Sequence, residues 1–415
     1  MPSEPALLLR HHRPFIAFWL ARIFTASGFQ MLTVAIGWNL YQLTGNVLDL
    51  GLVGLVEFIP RVLFMLHTGH VADRYERRKV AAICQTVQAL IALSLAIGGL
   101  TGHVTREMIF ILAFLLGAAR SFEMPTTQAL LPSIVPSALF PRAVASSQSA
   151  QQLATIVAPA LGGLLYAFGS VWVYGPTVLL YLIACVLTLN LPARQTPLNK
   201  APATMDSLLA GIRFIRSRPD ILGAISLDLF AVLLGGATAL LPVFAKDILL
   251  TGAWGLGLLR SAPAVGALLM SLWLARFSVD RKVGRVMFTA VGVFGVATIA
   301  FGLSTSFWFS LAVLVVLGAA DMISMVIRAS FVQLETPDEM RGRVSAVNGL
   351  FIGASNQLGE FESGITAHWF GTVPAVVMGG IGTLVVTGVW IKLFPTLANR
   401  DRMHVPVEEA VKPTA

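Results

Sequence analysis

Gly69-His-Val-Ala-Asp73-Arg74-Tyr-Glu-Arg77-Arg78-Lys79 separates two long apolar stretches, and a shorter relative, Asp280-Arg281-Lys-Val-Gly284-Arg285, stands at a matching place in the second half of the chain. A compact basic loop repeated at half-length in an apolar chain predicts two homologous membrane bundles that move against each other. That is the layout of a transporter.

The composition around the loop agrees. Of 415 residues, 56% are hydrophobic and 12% charged, and the mean hydropathy is +0.78, more apolar than a soluble domain tolerates. A bilayer core of roughly 30 Å takes about 20 apolar residues as a helix, and the alternating pattern of an outer-membrane barrel is absent. Apolar segments run over 15–42, 48–70, 80–99, 107–130, 143–167 and 171–191, then over 221–245, 253–275, 286–304, 307–332, 344–368 and 373–394. The expectation is an all-α membrane protein of twelve transmembrane helices in two six-helix bundles, 1–191 and 221–395. A connector at 192–220 joins them and a tail at 396–415 follows. Within the connector, Leu208, Leu209, Ile212 and Ile215 share one side of a helical pattern with Arg213 and Arg216 elsewhere, which predicts an amphipathic helix at the cytoplasmic membrane surface. Residues 1–12 lack the features of a cleaved signal peptide, so the first span is the expected insertion signal.

Most of the 29 Lys and Arg lie in the termini and in the loops after even-numbered spans, whereas only Arg106 and Lys246 fall in loops on the other side. The positive-inside rule then places both termini in the cytoplasm, with the chain in a cytoplasmic (inner) membrane. The net charge of +8 therefore marks topology; no nucleic-acid partner is implied. The repeat is visible elsewhere: Val135-Pro136-Ser-Ala-Leu-Phe-Pro-Arg142-Ala-Val-Ala145 parallels Thr336-Pro337-Asp-Glu-Met-Arg-Gly-Arg343-Val-Ser-Ala346, with Pro, Arg and Ala at one common offset. Parallel repeats place a substrate path where the halves meet, near the midplane.

These residues resemble the major facilitator superfamily across nearly the whole chain. Gly69, Asp73, Arg74, Arg77, Arg78 and Lys79 stand where its signature loop between helices 2 and 3 has them, with Glu76 at a position that usually holds Gly. Pro159-Ala-Leu-Gly162-Gly163 resembles the end of a helix 5 motif of drug antiporters, whose earlier glycines are here Gln152, Ala154 and Ala158. Within the superfamily, residues 72–79 together with 336–343 look like the branch of siderophore exporters and drug efflux proteins. The resemblance implies proton-driven export by a rocker-switch between inward and outward states. The superfamily also contains uptake symporters, uniporters and lipid flippases.

Physically, Asp73, Arg74, Arg77 and Arg78 on a short loop can pair with helix ends of the opposite half, because guanidinium groups bind carboxylates in a fork and helix termini carry partial charge. Gly69, Asp280, Arg281, Gly284 and Arg285 complete this expected latch; plain topology is the alternative, since any cytoplasmic loop is basic. His67, His70 and Asp73 could be drawn as a metal site, but interface histidines are commoner and no metal is expected.

Ionisable residues within spans cost about 2.5–3.5 kcal/mol each on insertion scales and are usually kept for a pathway or a partner. Arg22, Glu57, Arg61, Arg120, Glu123, Asp228, Arg260 and Asp321 are the candidates. Glu57 with Arg61, and Arg120 with Glu123, sit at i,i+4 and i,i+3 on their helices, so each pair can be self-neutralising or functional. Asp228 and Asp321 need cations from other helices, for which Arg22 and Arg260 are the expected partners, Arg328 lying nearer the cytoplasmic end of its span. A carboxylate beside a cation that comes and goes is what proton coupling requires, and Asp228 is the first candidate. In Asn356-Gln357-Leu-Gly-Glu360-Phe-Glu362, the two glutamates stand about 200° apart around a helix and cannot face one cavity.

No Gly-x-x-x-x-Gly-Lys-Ser/Thr loop occurs, so ATP is not the expected energy source; an ion gradient, of protons, is, and no cofactor is implied. Cys84 and Cys185 fall inside spans as small hydrophobes. An enzyme or a non-transporting receptor on this scaffold is disfavoured by the lack of His-Glu-x-x-His and Gly-x-Ser-x-Gly. The expected partners are a small-molecule substrate and the lipid bilayer, with one chain, a monomer, holding both halves.

Overall fold

Long apolar runs set the helices, and single residues set their ends. The computed structural model describes residues 9, 12–192, 205–277, 279 and 281–403, and no strand occurs among them. In the first half α1 (Arg13–Thr44), α2 (Val47–Arg74), α3 (Arg77–Thr101), α4 (Arg106–Ile134), α5 (Phe140–Tyr166) and α6 (Ser170–Leu189) lie over the six expected segments. Asn46 Oδ1 accepts from the Leu48 amide at 3.0 Å and Thr105 Oγ1 from the Met108 amide at 3.2 Å, satisfying donors that a first turn leaves open. α1 and α3 stop at Gly45 (φ 60) and Gly102 (φ 69), left-handed caps that a side chain would strain.

The amphipathic connector helix is α7 (Met205–Ser217). Part of its apolar side is spent on protein, with Ile215 2% exposed and Gly211 so close to the later helix α13 (Asp338–Phe370) that an added Cβ would stand 3.0 Å from the Arg343 carbonyl oxygen. The seventh expected span, 221–245, is not one continuous helix. α8 (Pro219–Leu234) ends at Gly235-Gly236, and a tight turn at Ala237–Leu240, the single turn α9 (Leu241–Val243) and a wide turn at Phe244–Ile248 follow. Two consecutive glycines weaken a helix, and here the α13 backbone crosses at Gly236, where a Cβ would lie 2.7 Å from Gly359. Then come α10 (Gly252–Arg276), α11 (Val283–Gly302), α12 (Phe307–Glu335), α13 (Asp338–Phe370), α14 (Thr372–Leu393) and the short α15 (Pro395–Ala398). The repeat read from sequence has a backbone counterpart: Pro136 (φ −58, ψ 147) and Pro337 (φ −55, ψ 148) share one conformation before α5 and α13.

Among the described residues, nine helices are long and apolar enough to cross a bilayer, so this is a multi-pass membrane protein. α2, α5 and α13, with 28, 27 and 33 residues, match those nine in length but are richer in charged or amide side chains. Glu57 and Arg61 stand in α2, Gln148, Gln151 and Gln152 in α5, and Asn356 to Glu362 in α13.

By packing, the chain forms two units, one of Met1–Ala203 with Leu241–Ser261 and the other of Thr204–Leu240 with Ala262–Ala415. In the first, α1 packs on α5 and α6, α2 on α4, and α3 on α6 and α4. The segment 241–261 belongs there because small residues allow it: a Cβ on Gly163 would overlap the Ala253 carbonyl oxygen, and one on Gly257 would stand 2.5 Å from that of Pro159. In the second, α11 packs on α12 and α14, and α8 lies against α13 and α14.

Candidate functional site

Two helices of the first unit, α1 and α4, bring their in-span charges to one place. A cavity of about 200 Å³ is lined by Arg22 of α1, Gln85 of α3, Arg120, Glu123, Thr127 and Gln128 of α4, and Gln148 and Gln151 of α5. Glu123 is 3% exposed; its Oε2 accepts from Arg120 Nη1 at 3.1 Å and from Gln88 Nε2 at 3.0 Å. Arg120 also lies over the Phe29 ring, 4.2 Å from its centroid. The pair expected from i,i+3 spacing therefore forms and is held from three sides. Gln85 Nε2 donates to Thr25 Oγ1 at 3.1 Å.

Arg22 is different. It makes no ion pair among the described residues, and its Nε, like Arg120 Nε, Gln85 Oε1 and Thr127 Oγ1, is buried without a hydrogen-bond partner among them. The charged residues lining the cavity are thus two arginines and one glutamate. Glu57 and Arg61 also meet, at 3.1 Å along α2. Arg260 Nη1 lies 3.5 Å from the Thr33 carbonyl oxygen.

The second unit has the opposite arrangement. Asp228, 6% exposed, forms an ion pair with Arg328 of α12, 4% exposed. This corrects the expectation of Arg22 or Arg260 as partner: α8 and α12 pack side by side, and a long guanidinium stem reaches across where one-dimensional depth along a span suggested it would not. Asp321 and Asp228 line one small cavity with Ser324, Phe294 and Val232, so a second carboxylate stands beside the one that is paired with Arg328. On α13, Asn356 Nδ2 donates to the Ile352 carbonyl at 2.9 Å, Glu362 Oε1 accepts from Thr366 Oγ1 at 2.7 Å, Gln357 Oε1 is buried without a hydrogen-bond partner among the described residues, and Glu360 is half-buried.

In the basic loop, the Asp73 side chain lies outside the described ones, and Gly69 and Arg74 are exposed. Arg77 Nη1 donates to the Ala129 carbonyl at 3.1 Å, and Arg78 Nη1 to those of Leu189 (3.2 Å) and Leu191 (2.9 Å). Both arginines thus serve the carbonyl ends of α4 and α6 in their own half, where a helix terminus favours cations. Glu76, the departure from family pattern, sits at the start of α3 and pairs with Lys79 at 2.8 Å and with Arg78. Those two bonds hold its carboxyl below the ordinary carboxylate range.

The second-half echo is used differently. Asp280 lies outside the described residues, and Arg281 and Arg285 are exposed. The amides of Lys282, Val283 and Gly284 donate to Asp401 Oδ1 (3.1 Å), Asp401 O (3.3 Å) and Arg400 O (3.0 Å). A Cβ on Gly284 would overlap the Leu397 carbonyl oxygen. Arg400 in turn pairs with Asp220 at 2.6 Å and with Glu335. The beginning of the expected tail is therefore a docked strap over the ends of α8, α11 and α12. In the helix 5 motif, Gly162 and Gly163 are contact points, Gly162 against α1 at Met31 and Gly163 against the first turns of α10, while Pro159 is buried in α5.

Sequence reasoning missed the amides Gln85, Gln88, Gln148 and Gln151, although polar residues at helical spacing inside apolar spans were a legible signal. It also missed Arg400, which a charge count alone treats as one more topology marker.

Comparison with known proteins places these features in a wider setting. The family model described as transmembrane secretion effector matches residues 8–413. The enterobactin exporter of Citrobacter koseri is 27% identical over 408 residues, 97% of this chain and 96% of that protein. That of Escherichia coli O1:K1 is 26% identical over 379 residues, 91% and 87% of the two chains. Among solved structures, a nucleoside transporter aligns with a TM-score of 0.72 at 16% identity, covering 92% of this chain and 100% of that one. A bacterial homologue of the iron transporter ferroportin aligns with a TM-score of 0.69 at 19% identity, covering 94% and 99%.

Proposed function

Because the chain belongs to the transmembrane secretion effector family and is a membrane transporter rather than an enzyme, we propose that it is a proton-coupled secondary exporter of a siderophore or small amphipathic molecule. It works by rocker-switch alternating access of two six-helix halves, with twelve spans formed by α1 to α6, by the broken helix at 219–248, and by α10 to α14. Both termini lie in the cytoplasm, and one chain is the working unit.

The observation that carries this reading is the end-to-end relation to enterobactin exporters, over 97% of this chain and 96% of the relative, together with a charged cavity inside the apolar first unit. Buried charges are expensive in lipid and are kept where they serve transport. In the second unit, Asp228 pairs with Arg328 and Asp321 lines the same small cavity as Asp228, so a proton can balance the surplus carboxylate, which makes this the coupling site. Arg74, Arg77 and Arg78 on the loop between α2 and α3 act as the latch that weights one access state over the other.

The test is reconstitution in proteoliposomes with an imposed pH gradient, using the molecule that accumulates in culture supernatants of cells carrying the gene under iron limitation or drug challenge. Export should follow the gradient in wild type and become indifferent to it in Asp228→Asn or Asp321→Asn. Wild-type flux that ignores the gradient overturns the coupling, and accumulation inside the cell overturns the direction.

A further inference from the structure

The first-unit cavity has more to say about its cargo than its size. Its charged lining is Arg22, Arg120 and Glu123. Arg120 is already engaged, by the Glu123 carboxylate at 3.1 Å and by the Phe29 ring, and Glu123 is engaged twice, by Arg120 and Gln88. One cation is left over. Arg22, half-buried in α1, has no ion pair among the described residues. Around it stand the side-chain amides of Gln85, Gln128, Gln148 and Gln151 and the hydroxyls of Thr25 and Thr127.

A guanidinium inside a membrane protein is stabilised by an anion, and its fork matches a planar oxyanion in two hydrogen bonds. A cationic amphiphile entering this cavity would meet a lining of net positive charge and would bring no acceptor for Arg22. Amides and hydroxyls suit a ligand rich in oxygen, since each can donate to it or accept from it. Resting on the exporter reading above, we propose that the cavity binds the oxyanion of its substrate at Arg22, so that the cargo is an acidic, oxygen-rich molecule and not a cationic drug. Arg120 and Glu123 then act as a fixed wall: their mutual pair keeps Glu123 from neutralising Arg22, and Gln88 holds that wall in place.

The test titrates the purified protein in detergent with salicylate, with its neutral amide salicylamide, and with the amphipathic cation tetraphenylphosphonium. Salicylate should bind roughly tenfold or more tightly than salicylamide, the range of one charge-assisted hydrogen bond, and more tightly than tetraphenylphosphonium. Arg22→Gln should erase that advantage, while Arg22→Lys, which keeps the charge, should retain most of it, with both variants remaining monodisperse. Equal binding of the acid and its amide, an advantage that survives Arg22→Gln, tighter binding of the cation, or no saturable salicylate binding at millimolar concentration overturns the proposal. Binding is read here without a gradient. An anion preference without driven flux therefore counts against the exporter reading alone, and driven flux without an anion preference counts against this inference alone.

Discussion

The two units each bury a three-charge cluster, and the clusters have opposite sign. The first sets two arginines and a glutamate around about 200 Å³ of space, among glutamines and threonines. The second sets two aspartates, one of them paired with Arg328, around about 10 Å³, the room of roughly one water, among Val232, Val291 and Phe294. Space and hydrogen-bonding side chains accompany the surplus cation, whereas the surplus carboxylate is enclosed by apolar packing. A molecule of any size can be accommodated only at the former; an ion as small as a proton suits the latter. In the exporter reading proposed above, the difference divides the work, the first half reading the cargo and the second the driving ion.

The contrast is broken most severely at Arg328. Arg328→Gln leaves Asp228 without its cation, and removing one partner of a buried pair costs about 3–5 kcal/mol. The expected outcome is the largest fall in thermal unfolding midpoint in detergent of any substitution named here. A fall no greater than that of Arg22→Gln would show that the second cluster is not a closed ionic site.

Glu123→Gln comes next. It removes the acceptor of two charge-assisted hydrogen bonds and leaves Arg22 and Arg120 without an anion, for a loss of about 1.5–3 kcal/mol on the same melt. Asp321→Asn sharpens the comparison from the other side: the Asp228–Arg328 pair stays balanced, so the midpoint should hold or rise while gradient-driven flux drops to its gradient-free level. Arg22→Gln, which deletes the cation with no ion-pair partner among the described residues, should change stability by no more than about 0.5 kcal/mol, although it abolishes the anion preference.

The smallest effect belongs to Glu76, outside both clusters. With its carboxyl held low by Lys79 and Arg78, its contribution is complete above the ordinary carboxylate range and fades as pH falls through the lowered value in the folded protein. The midpoint difference between wild type and Glu76→Gln should accordingly be greatest at neutral pH and vanish in acid.

How much of this could be read in one dimension differs by element. Apolar runs, the Pro136 and Pro337 repeats and the i,i+3 and i,i+4 pairs are local, so Arg120 with Glu123 and Glu57 with Arg61 were legible. The Asp228–Arg328 pair was not, because it depends on which helices lie side by side and on how far an arginine reaches along a span. The break at Gly235-Gly236 was visible as a glycine pair, but what demands it, the α13 backbone at Gly359, is a tertiary contact. The cavity amides went unnoticed for a similar reason: a glutamine in an apolar helix becomes informative only once several of them converge.

The strap made by Leu397, Arg400 and Asp401 has a consequence for how the protein is made. It is the last described segment of the chain, yet it ties Asp220 at the start of α8 to Glu335 at the end of α12 and closes the turn at 282–284. During synthesis these helices enter the membrane well before residue 400 leaves the ribosome. The second unit must therefore wait, inserted but unfastened, until residues 397–401 have been made, so a truncation or a tag placed before Asp401 should act as an assembly defect.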